Sequence, residues 1–169
     1  LAVKNLTIPS LQSDYKILTI FNQLHLNYQI KEKMIVVKPS SINEEHLIDI
    51  GECCDLGPIL CLLGLITTKP ITLINTKRLQ YKESNRLNVM KAELHKINCP
   101  IEVQENKTII YPFNIIINDK YIDSNNDHRI YMAFAIINTI LNDQLVISDP
   151  HSVNKSFPNF HMIIKKLSQ

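Results

Sequence analysis

A short charged run, Lys82-Glu83-Ser84-Asn85-Arg86-Leu87, places two cations and a carboxylate directly before an amphipathic segment. Apolar residues in that segment recur at steps of three and four, the period of a helix with one buried face. The pattern predicts a helix over 82–97, with Lys82 and Glu83 at its entrance and Arg86 one turn in. A helix N-terminus carries unpaired N–H groups and partial positive charge, so the added cations favour a phosphate or carboxylate site. Taken alone, the stretch is more typical of a solvated helix start.

The elements around this helix follow an order that is repeated along the chain. A predicted strand, 71–74, precedes the helix, and a predicted hairpin, 101–103 with 108–111, follows it. The same order opens the chain, and a third copy begins near its end but stops before any hairpin. The first copy has a predicted strand at 2–3, a helix over 14–26 and a hairpin at 28–30 and 34–37. The third copy has a predicted strand at 145–147 and a helix over 156–167. The sequence therefore predicts an internal repeat with an incomplete third copy.

Two further predicted helices, 55–67 and 127–141, separate the copies and are apolar nearly all round. Helices of that kind are buried. Pro58 is compatible with the first of them, because the first turn of a helix does not need that N–H group. The order predicts an α/β fold with buried parallel helices inside and small sheets outside. Since no linker or low-complexity tract interrupts it, we predict a single domain over 1–169.

The composition argues against several classes of protein. The 169 residues carry a formal net charge of +2, so the overall charge indicates neither nucleic acid nor an acidic membrane as a partner. The longest apolar run, 59–66, is too short to span a bilayer, and the first residues lack the order of a secretion signal. The four cysteines have neither CxxC spacing nor a close histidine, so we interpret them as reduced thiols of a cytoplasmic protein without a metal site. Because Leu1 directly begins a strand-like segment, we expect a fragment or a processed product.

Polar and charged residues collect at the predicted helix starts. If the copies pack side by side with their helices parallel, these starts share one end of the domain. The residues concerned are Asp55, Lys82, Glu83, Arg86, His128, Arg129 and Lys155. Such an end suits a substrate with several negative groups that also needs a general acid and base. Structural roles remain as alternatives, because Asp55 and Asp127 are typical N-caps and His128 is typical of a helix surface.

Four motifs carry a resemblance to a known family. They are Cys54-Asp55-Leu56-Gly57-Pro58-Ile59-Leu60, Arg78-Leu79-Gln80-Tyr81-Lys82-Glu83-Ser84-Asn85-Arg86-Leu87, Asn126-Asp127-His128-Arg129-Ile130-Tyr131-Met132 and Lys155-Ser156-Phe157-Pro158-Asn159-Phe160. With them the chain resembles the C-terminal half of the enolpyruvyl transferases called EPSP synthases (3-phosphoshikimate 1-carboxyvinyltransferases). One such motif would be weak evidence, whereas four in the right order are strong, and together they cover essentially the whole chain.

The resemblance implies a reaction and a role for each site residue. The family transfers the enolpyruvyl group of phosphoenolpyruvate to the 5-hydroxyl of shikimate 3-phosphate and releases phosphate. The reaction is an addition followed by an elimination, through a tetrahedral intermediate, and it needs no metal or other cofactor. The motifs imply that Asp55, Glu83 and His128 take part in catalysis. They imply that Asp55 and Lys82 bind shikimate 3-phosphate, and that Arg86, Arg129 and Lys155 bind phosphoenolpyruvate.

The chain also departs from the family pattern. Asn85 stands where the family usually has Asp, and Tyr131 stands where a small residue is common. The first half of the family protein, which binds the shikimate phosphate, is absent, and the family's active site lies in the cleft between two similar domains. The chain is therefore expected to supply one wall, to need the missing N-terminal domain as its partner, and to be inactive alone. Two alternatives remain, the sister transferase acting on UDP-N-acetylglucosamine, against which the KES and NDHR runs argue, and a non-catalytic anion-binding or interaction domain of the same fold.

Overall fold

The computed structural model describes residues 1–142 and 144–167, and its first copy of the repeat closely follows the predicted order. The elements are β1 (Ala2–Val3), a 3-10 helix (Ser13–Lys16), α1 (Ile17–Gln23), β2 (Tyr28–Lys31) and β3 (Met34–Val37). The three strands form an antiparallel sheet in the order β1-β3-β2. The hairpin predicted at 28–37 is therefore confirmed. The predicted single domain includes residues 143, 168 and 169, which lie outside the described residues.

The second copy contains the largest sheet among the described residues. Its elements are β4 (His46–Asp49), β5 (Ile71–Ile74), a 3-10 helix (Lys77–Tyr81), α3 (Arg86–Lys96), β6 (Ile101–Val103) and β7 (Lys107–Ile110), with helix α2 (Gly57–Leu60) between β4 and β5. The strand order is β4-β5-β7-β6, with β4 parallel to β5 and the other pairs antiparallel. Strand β4 was not predicted from the sequence. Only one of its four residues, Ile48, is buried, so the short segment shows no clear alternation of apolar and polar residues.

The third copy repeats the parallel pair with much shorter strands. Its elements are β8 (Tyr121–Ile122), α4 (His128–Ile140), β9 (Val146–Ile147), a 3-10 helix (Pro150–Lys155) and α5 (Phe160–Leu167). Strands β8 and β9 pair in parallel and form a sheet of their own within the described residues. The copy thus has the counterparts of β4 and β5 but, up to residue 167, no hairpin, as the sequence predicts.

The helix predicted over 82–97 begins later than expected. Helix α3 starts at Arg86, so Lys82 and Glu83 lie in the loop before it instead of in its first turn. Asn85 is the N-cap, and its side-chain Oδ1 accepts a hydrogen bond from the Asn88 N–H at 3.2 Å. Asn competes for backbone hydrogen bonds inside a helix but is favoured at the cap position, which sets the boundary.

The last predicted helix, over 156–167, also begins later. Helix α5 starts at Phe160, and Lys155 is the last residue of the preceding 3-10 helix. Pro158 accounts for the difference, because a proline disfavours the helical conformation of the residue before it. Lys155 was expected from the sequence to lie at the start of a long helix, and this prediction is wrong.

The predicted helix over 55–67 is a chain of shorter turns. A 3-10 helix (Cys54–Leu56), α2 and a second 3-10 helix (Cys61–Leu65) follow each other directly. Glycines at 57 and 64 lower the helix propensity of the segment but permit close packing. A Cβ atom at Gly64 would lie 2.3 Å from the Phe113 ring, and one at Gly57 would lie 2.6 Å from Leu79 Cδ1. The burial predicted for this segment is confirmed, since most of its residues are buried.

The main hydrophobic core holds residues from all three copies. Helix α4 packs against α2, and its residues Ile130, Ala133, Phe134 and Ile137 are at most 1% exposed. The far end of α4 is less covered than predicted, because Ile140 is 61% exposed. The two internal helices, α2 and α4, thus contact each other in the core, and the starts of α3 and α4 lie close together, where Arg86 pairs with Asp127.

Candidate active site

The expected site residues come from four separated segments of the chain. Asp55 lies in the 3-10 helix before α2, Lys82 and Glu83 in the loop before α3, and Arg86 at the first position of α3. His128 and Arg129 are the first residues of α4, and Lys155 ends the 3-10 helix before α5. Ion pairs join five of these residues, namely Asp55, Lys82, Glu83, Arg86 and Arg129.

Arg86 is the centre of this network and is only 1% exposed. Its Nε donates to Asp127 Oδ2 at 2.8 Å, and its Nη1 donates to Asp55 Oδ1 at 2.7 Å. Its Nη2 donates to Glu83 Oε2. A guanidinium buried this deeply is stable only when its donors are paired, and three carboxylates provide those partners here. Arg86 therefore fixes the positions of carboxylates from three different segments.

Asp55 is shared by the cations around it. Lys82 Nζ lies 3.0 Å from Oδ1, and Arg129 Nη2 lies 3.8 Å from Oδ2. Burial acts to raise the pKa of Asp55, but the hydrogen bonds and charges of Lys82 and Arg86 outweigh it and lower that pKa below its usual value. The hydrogen bond with Asp55 in turn raises the pKa of Lys82. Asp55 is thus held ionised, with a lysine and two arginines around its oxygens.

Asp127 combines a structural role with membership of the network. Its Oδ1 accepts the Arg129 N–H at 2.9 Å, which caps α4 as the sequence analysis allowed. Its Oδ2 also accepts the Ser84 hydroxyl at 3.0 Å, beside the bond from Arg86. The side chain is fully buried, and although burial acts to raise its pKa, the Arg86 hydrogen bond and charge lower it. Ser84 and Asp127 therefore lock the loop before α3 to the start of α4.

Asp14 belongs to the site although sequence reasoning did not select it. Its Oδ2 accepts a hydrogen bond from Arg129 Nη1 at 2.9 Å, across 115 positions of sequence. Its Oδ1 is buried without a hydrogen-bond partner among the described residues. The sequence did contain a signal for Asp14, because this residue stands before the first repeat helix just as Glu83 stands before the second. It was missed because the starts of only the later helices were compared.

His128 and Lys155 lie beside the network but outside its ion pairs. His128 is 6% exposed, and its Nδ1 has no hydrogen-bond partner among the described residues. Burial lowers the pKa of His128, against the opposing effect of Asp127 and Glu83, so the neutral ring is favoured. Lys155 is exposed, and its Nζ donates to the Asn126 carbonyl oxygen at 3.1 Å.

The charges of the site balance within the described residues. The cations are Lys82, Arg86, Arg129 and Lys155, and the carboxylates are Asp14, Asp55, Glu83 and Asp127. From the sequence, these cations were expected to be free to bind an anion. Instead, both arginines are already paired, and Arg129 remains 26% exposed whereas Arg86 is covered. An anion can therefore approach Lys82, Arg129 and Lys155 directly, but it reaches Arg86 only if a carboxylate moves.

A small cleft of about 230 Å³ opens beside Asp55 and Arg129. Its other walls are apolar side chains of α4 and the rings of Phe157 and Phe160. A larger cleft of about 710 Å³ runs along α3 past Lys91, but it touches none of the expected site residues. Among the described residues, the cleft of about 230 Å³ thus places charged groups from two segments, Asp55 and Arg129, beside space for a ligand.

The described residues contain no group of three or more His, Cys, Asp or Glu side chains arranged to hold a metal ion. The four cysteines are free and buried. Over the same residues, no helix has both the length and the hydropathy to cross a membrane.

Comparison with known proteins identifies the family of this chain. A profile of EPSP synthase (3-phosphoshikimate 1-carboxyvinyltransferase) matches residues 1–164. A relative from Clostridium novyi (strain NT), a 3-phosphoshikimate 1-carboxyvinyltransferase, is 36% identical over 96% of this chain and 37% of its own length. A protein of the same name from Brachyspira hyodysenteriae is 33% identical over 89% of this chain and 36% of its own length. The chain belongs to the EPSP synthase family.

The fold is also that of solved members of the family. A structure of EPSP synthase from Acinetobacter baumannii superposes with a TM-score of 0.73 at 19% identity, covering 98% of this chain and 41% of that one. The predicted α/β, enolpyruvyl-transferase-like fold is therefore confirmed. The chain spans well under half the length of the curated relatives that it matches.

Proposed function

We propose that this chain forms one wall of an active site that transfers the enolpyruvyl group of phosphoenolpyruvate to the 5-hydroxyl of shikimate 3-phosphate. The observation that carries the proposal is the convergence of Lys82, Arg86 and Arg129 on the single carboxylate of Asp55. Relatives at 33–36% identity bear the name of this activity. A second wall, provided by an N-terminal domain of the same enzyme, completes the site. The cytoplasm is the proposed location.

The addition step joins the two substrates. The 5-hydroxyl oxygen forms a bond to C2 of phosphoenolpyruvate, the C2–C3 double bond opens, and a proton is added to C3. Glu83, released from Arg86 and protonated by water before the step, is the proposed donor of that proton. The ionised Asp55 orients the hydroxyl and accepts its proton as the new bond forms, while Lys82 places positive charge beside the same oxygen. The product of this step is a tetrahedral intermediate that still carries phosphate.

The elimination step reverses the protonation at carbon. Glu83 removes a proton from C3, the double bond re-forms, and the C2–O bond to phosphate breaks, so that inorganic phosphate leaves. The neutral His128, close to the arginines, is a further proposed participant in proton transfer. Asp55 passes the proton that it took from the 5-hydroxyl to the departing phosphate, and Glu83 regains the proton that it gave to C3, so both side chains return to the protonation states in which the addition began.

The anionic groups of phosphoenolpyruvate are proposed to bind at the half-buried Arg129, at the exposed Lys155 and at Arg86. Since carboxylates balance these cations, the chain alone offers little net attraction to a trianion. Binding at Arg86 requires Glu83 or Asp55 to give up its bond to the guanidinium. This exchange frees the Glu83 carboxylate when the substrate arrives, and cations of the second wall add the missing attraction.

A substrate comparison tests the proposal. The natural polypeptide that contains this chain is incubated with phosphoenolpyruvate and either shikimate 3-phosphate or UDP-N-acetylglucosamine, and released phosphate and the enolpyruvyl product are measured. We expect product with shikimate 3-phosphate only, and no turnover from residues 1–169 alone. Product from the nucleotide sugar would assign the chain to the sister activity. No product from either acceptor would favour a non-catalytic domain.

A further inference from the structure

Asp149 lies just outside the expected site, in an unusual conformation. Its backbone has φ 56° and ψ 48°, the left-handed region, and Pro150 follows it. Residues with a side chain occupy that region at a cost, and a following proline disfavours helical conformations further. Local contacts must therefore hold Asp149 in place.

The side chain of Asp149 provides those contacts. Its Oδ2 accepts hydrogen bonds from the Asn126 N–H at 2.9 Å, the Ser148 hydroxyl at 2.7 Å and the Ser124 hydroxyl at 3.0 Å. These hydrogen bonds lower the pKa of Asp149, and those from Ser148 and Asn126 have the largest effect. One carboxylate oxygen thus ties the end of β9 to the turn that leads into α4.

The turn that leads into α4 has an unfavourable backbone conformation. Asn125 and Asn126 both have positive φ, 51° and 52°. Two successive residues of this kind persist only where surrounding structure fixes them. The Asn126 peptide is held on both sides, because its N–H donates to Asp149 and its carbonyl oxygen accepts from Lys155.

The restrained turn leads directly into the candidate site. Asp127, the next residue, caps α4 and binds Arg86, and His128 and Arg129 follow. On its other side, the Asp149 carbonyl oxygen accepts the Ser152 N–H at 2.9 Å, in the 3-10 helix that ends at Lys155. The two elements that carry the proposed phosphoenolpyruvate ligands of the third copy therefore meet at Asp149.

We infer that Asp149 is a positioning residue for the proposed transfer, which holds Arg129 and Lys155 at a fixed separation for the anionic substrate. The inference rests on the proposed function. Asp149 does not touch the substrate, and it acts through Asn126 on one side and through the 3-10 helix on the other.

Asp149→Asn is the informative substitution. Asn tolerates the left-handed region as well as Asp does, so the backbone preference is kept while the negative charge is lost. The matched control is Asp123→Asn, because Asp123 accepts from Ser148 and from the Asn125 N–H but not from Asn126. Both variants are made in the natural polypeptide that contains this chain, and kcat, KM for phosphoenolpyruvate, KM for shikimate 3-phosphate and Tm are measured.

We expect Asp149→Asn to raise KM for phosphoenolpyruvate roughly ten- to a hundred-fold, the range for lost hydrogen bonds to a charged group. KM for shikimate 3-phosphate should change less than three-fold, and Asp123→Asn should leave both KM values near those of the wild type. A purely structural role would lower Tm but leave both KM values of the folded protein unchanged.

A KM for phosphoenolpyruvate within two-fold of the wild type in Asp149→Asn would overturn the inference while leaving the proposed function standing. An equal rise in Asp123→Asn would also overturn it, because the effect would then belong to the whole cluster. Absence of turnover in the wild type would overturn the proposed function, and the inference with it. The two failures are thus distinguishable.

Discussion

At the scale of single residues, Arg86 is where the structure adds most to the sequence. Its charge and its place in a motif predict an anion ligand, but its burial and its three carboxylate partners depend on segments far apart in the chain. The ion pair of Asp14 with Arg129 likewise depends on the packing of the first copy against the third, although the position of Asp14 before the first repeat helix was readable in the sequence. Residue types and motif order therefore predict which groups meet, whereas the pairing among them follows from tertiary packing.

The Arg86–Asp127 pair gives a prediction on stability. Asp127→Ala leaves a buried guanidinium without its Nε partner and removes the cap of α4, so we expect a loss of about 3 kcal/mol in the free energy of unfolding. Guanidinium chloride unfolding of the natural polypeptide measures it. Glu52→Ala is the control, because Glu52 pairs with Lys16 but its side chain is 85% exposed, and it should leave the unfolding midpoint unchanged. Equal midpoints for the two variants would show that the buried pair contributes no more than a surface pair.

At the scale of elements, periodicity predicts the long elements well and the short ones poorly. Strand β5 has the predicted bounds, and α4 begins one residue after the predicted start. Strands β4 and β8 escaped prediction, because two or four residues with mixed exposure have no readable period. Helix starts were predicted too early where Asn85 and Pro158, which are capping and breaking residues, overrode the apolar pattern.

Asn85 gives a prediction for helix α3. The residue replaces an Asp that the family usually has, but both side chains accept the cap hydrogen bond. We expect Asn85→Asp to leave the free energy of unfolding nearly unchanged, and Asn85→Ala to lower it by about 1 kcal/mol. Thermal unfolding, monitored by circular dichroism, distinguishes the two variants. Asn88→Ala is the control, since the cap uses only the main-chain N–H of this exposed residue. A loss in Asn85→Asp as large as in Asn85→Ala would contradict the cap assignment.

At the scale of the whole molecule, three copies of one unit, the third of which is incomplete, place their polar ends together. The order of elements in the sequence was sufficient to predict this, because the repeat constrains how the copies pack. It did not predict the balance of charge, which arises from carboxylates of all three copies facing the cations. This balance supports the proposal that a second wall supplies the cations that attract an anionic substrate.

The pH dependence of stability follows from two kinds of group. The folded pKa of His128 is lowered, so below its unfolded value of about 6.5 the unfolded chain binds more protons and stability falls as pH decreases. The pKa values of Asp55 and Asp127 are also lowered, so their contribution is present above about pH 4 and is lost as pH falls through their folded pKa values. We expect the free energy of unfolding to decrease first below about pH 6.5 and again below about pH 4.

His128→Gln identifies the first of these two losses. The variant lacks the titrating ring, so its free energy of unfolding should vary less than that of the wild type between pH 5 and 7, while the loss near pH 4 remains. Denaturant unfolding at a series of pH values gives both curves. Parallel curves for the wild type and the variant down to about pH 5 would contradict the assignment to His128.

The central claim is that side chains of this chain carry out the enolpyruvyl transfer, and Glu83→Gln tests it most directly. The substitution keeps the size of the side chain and its contact with Arg86 but removes the group proposed to carry the proton to and from C3. In the natural polypeptide, with saturating phosphoenolpyruvate and shikimate 3-phosphate, we expect phosphate release to slow on the order of a hundred-fold or more. Glu105→Gln, at a glutamate whose side chain is 83% exposed, should match the wild type. A Glu83→Gln rate equal to that of the wild type would contradict the claim.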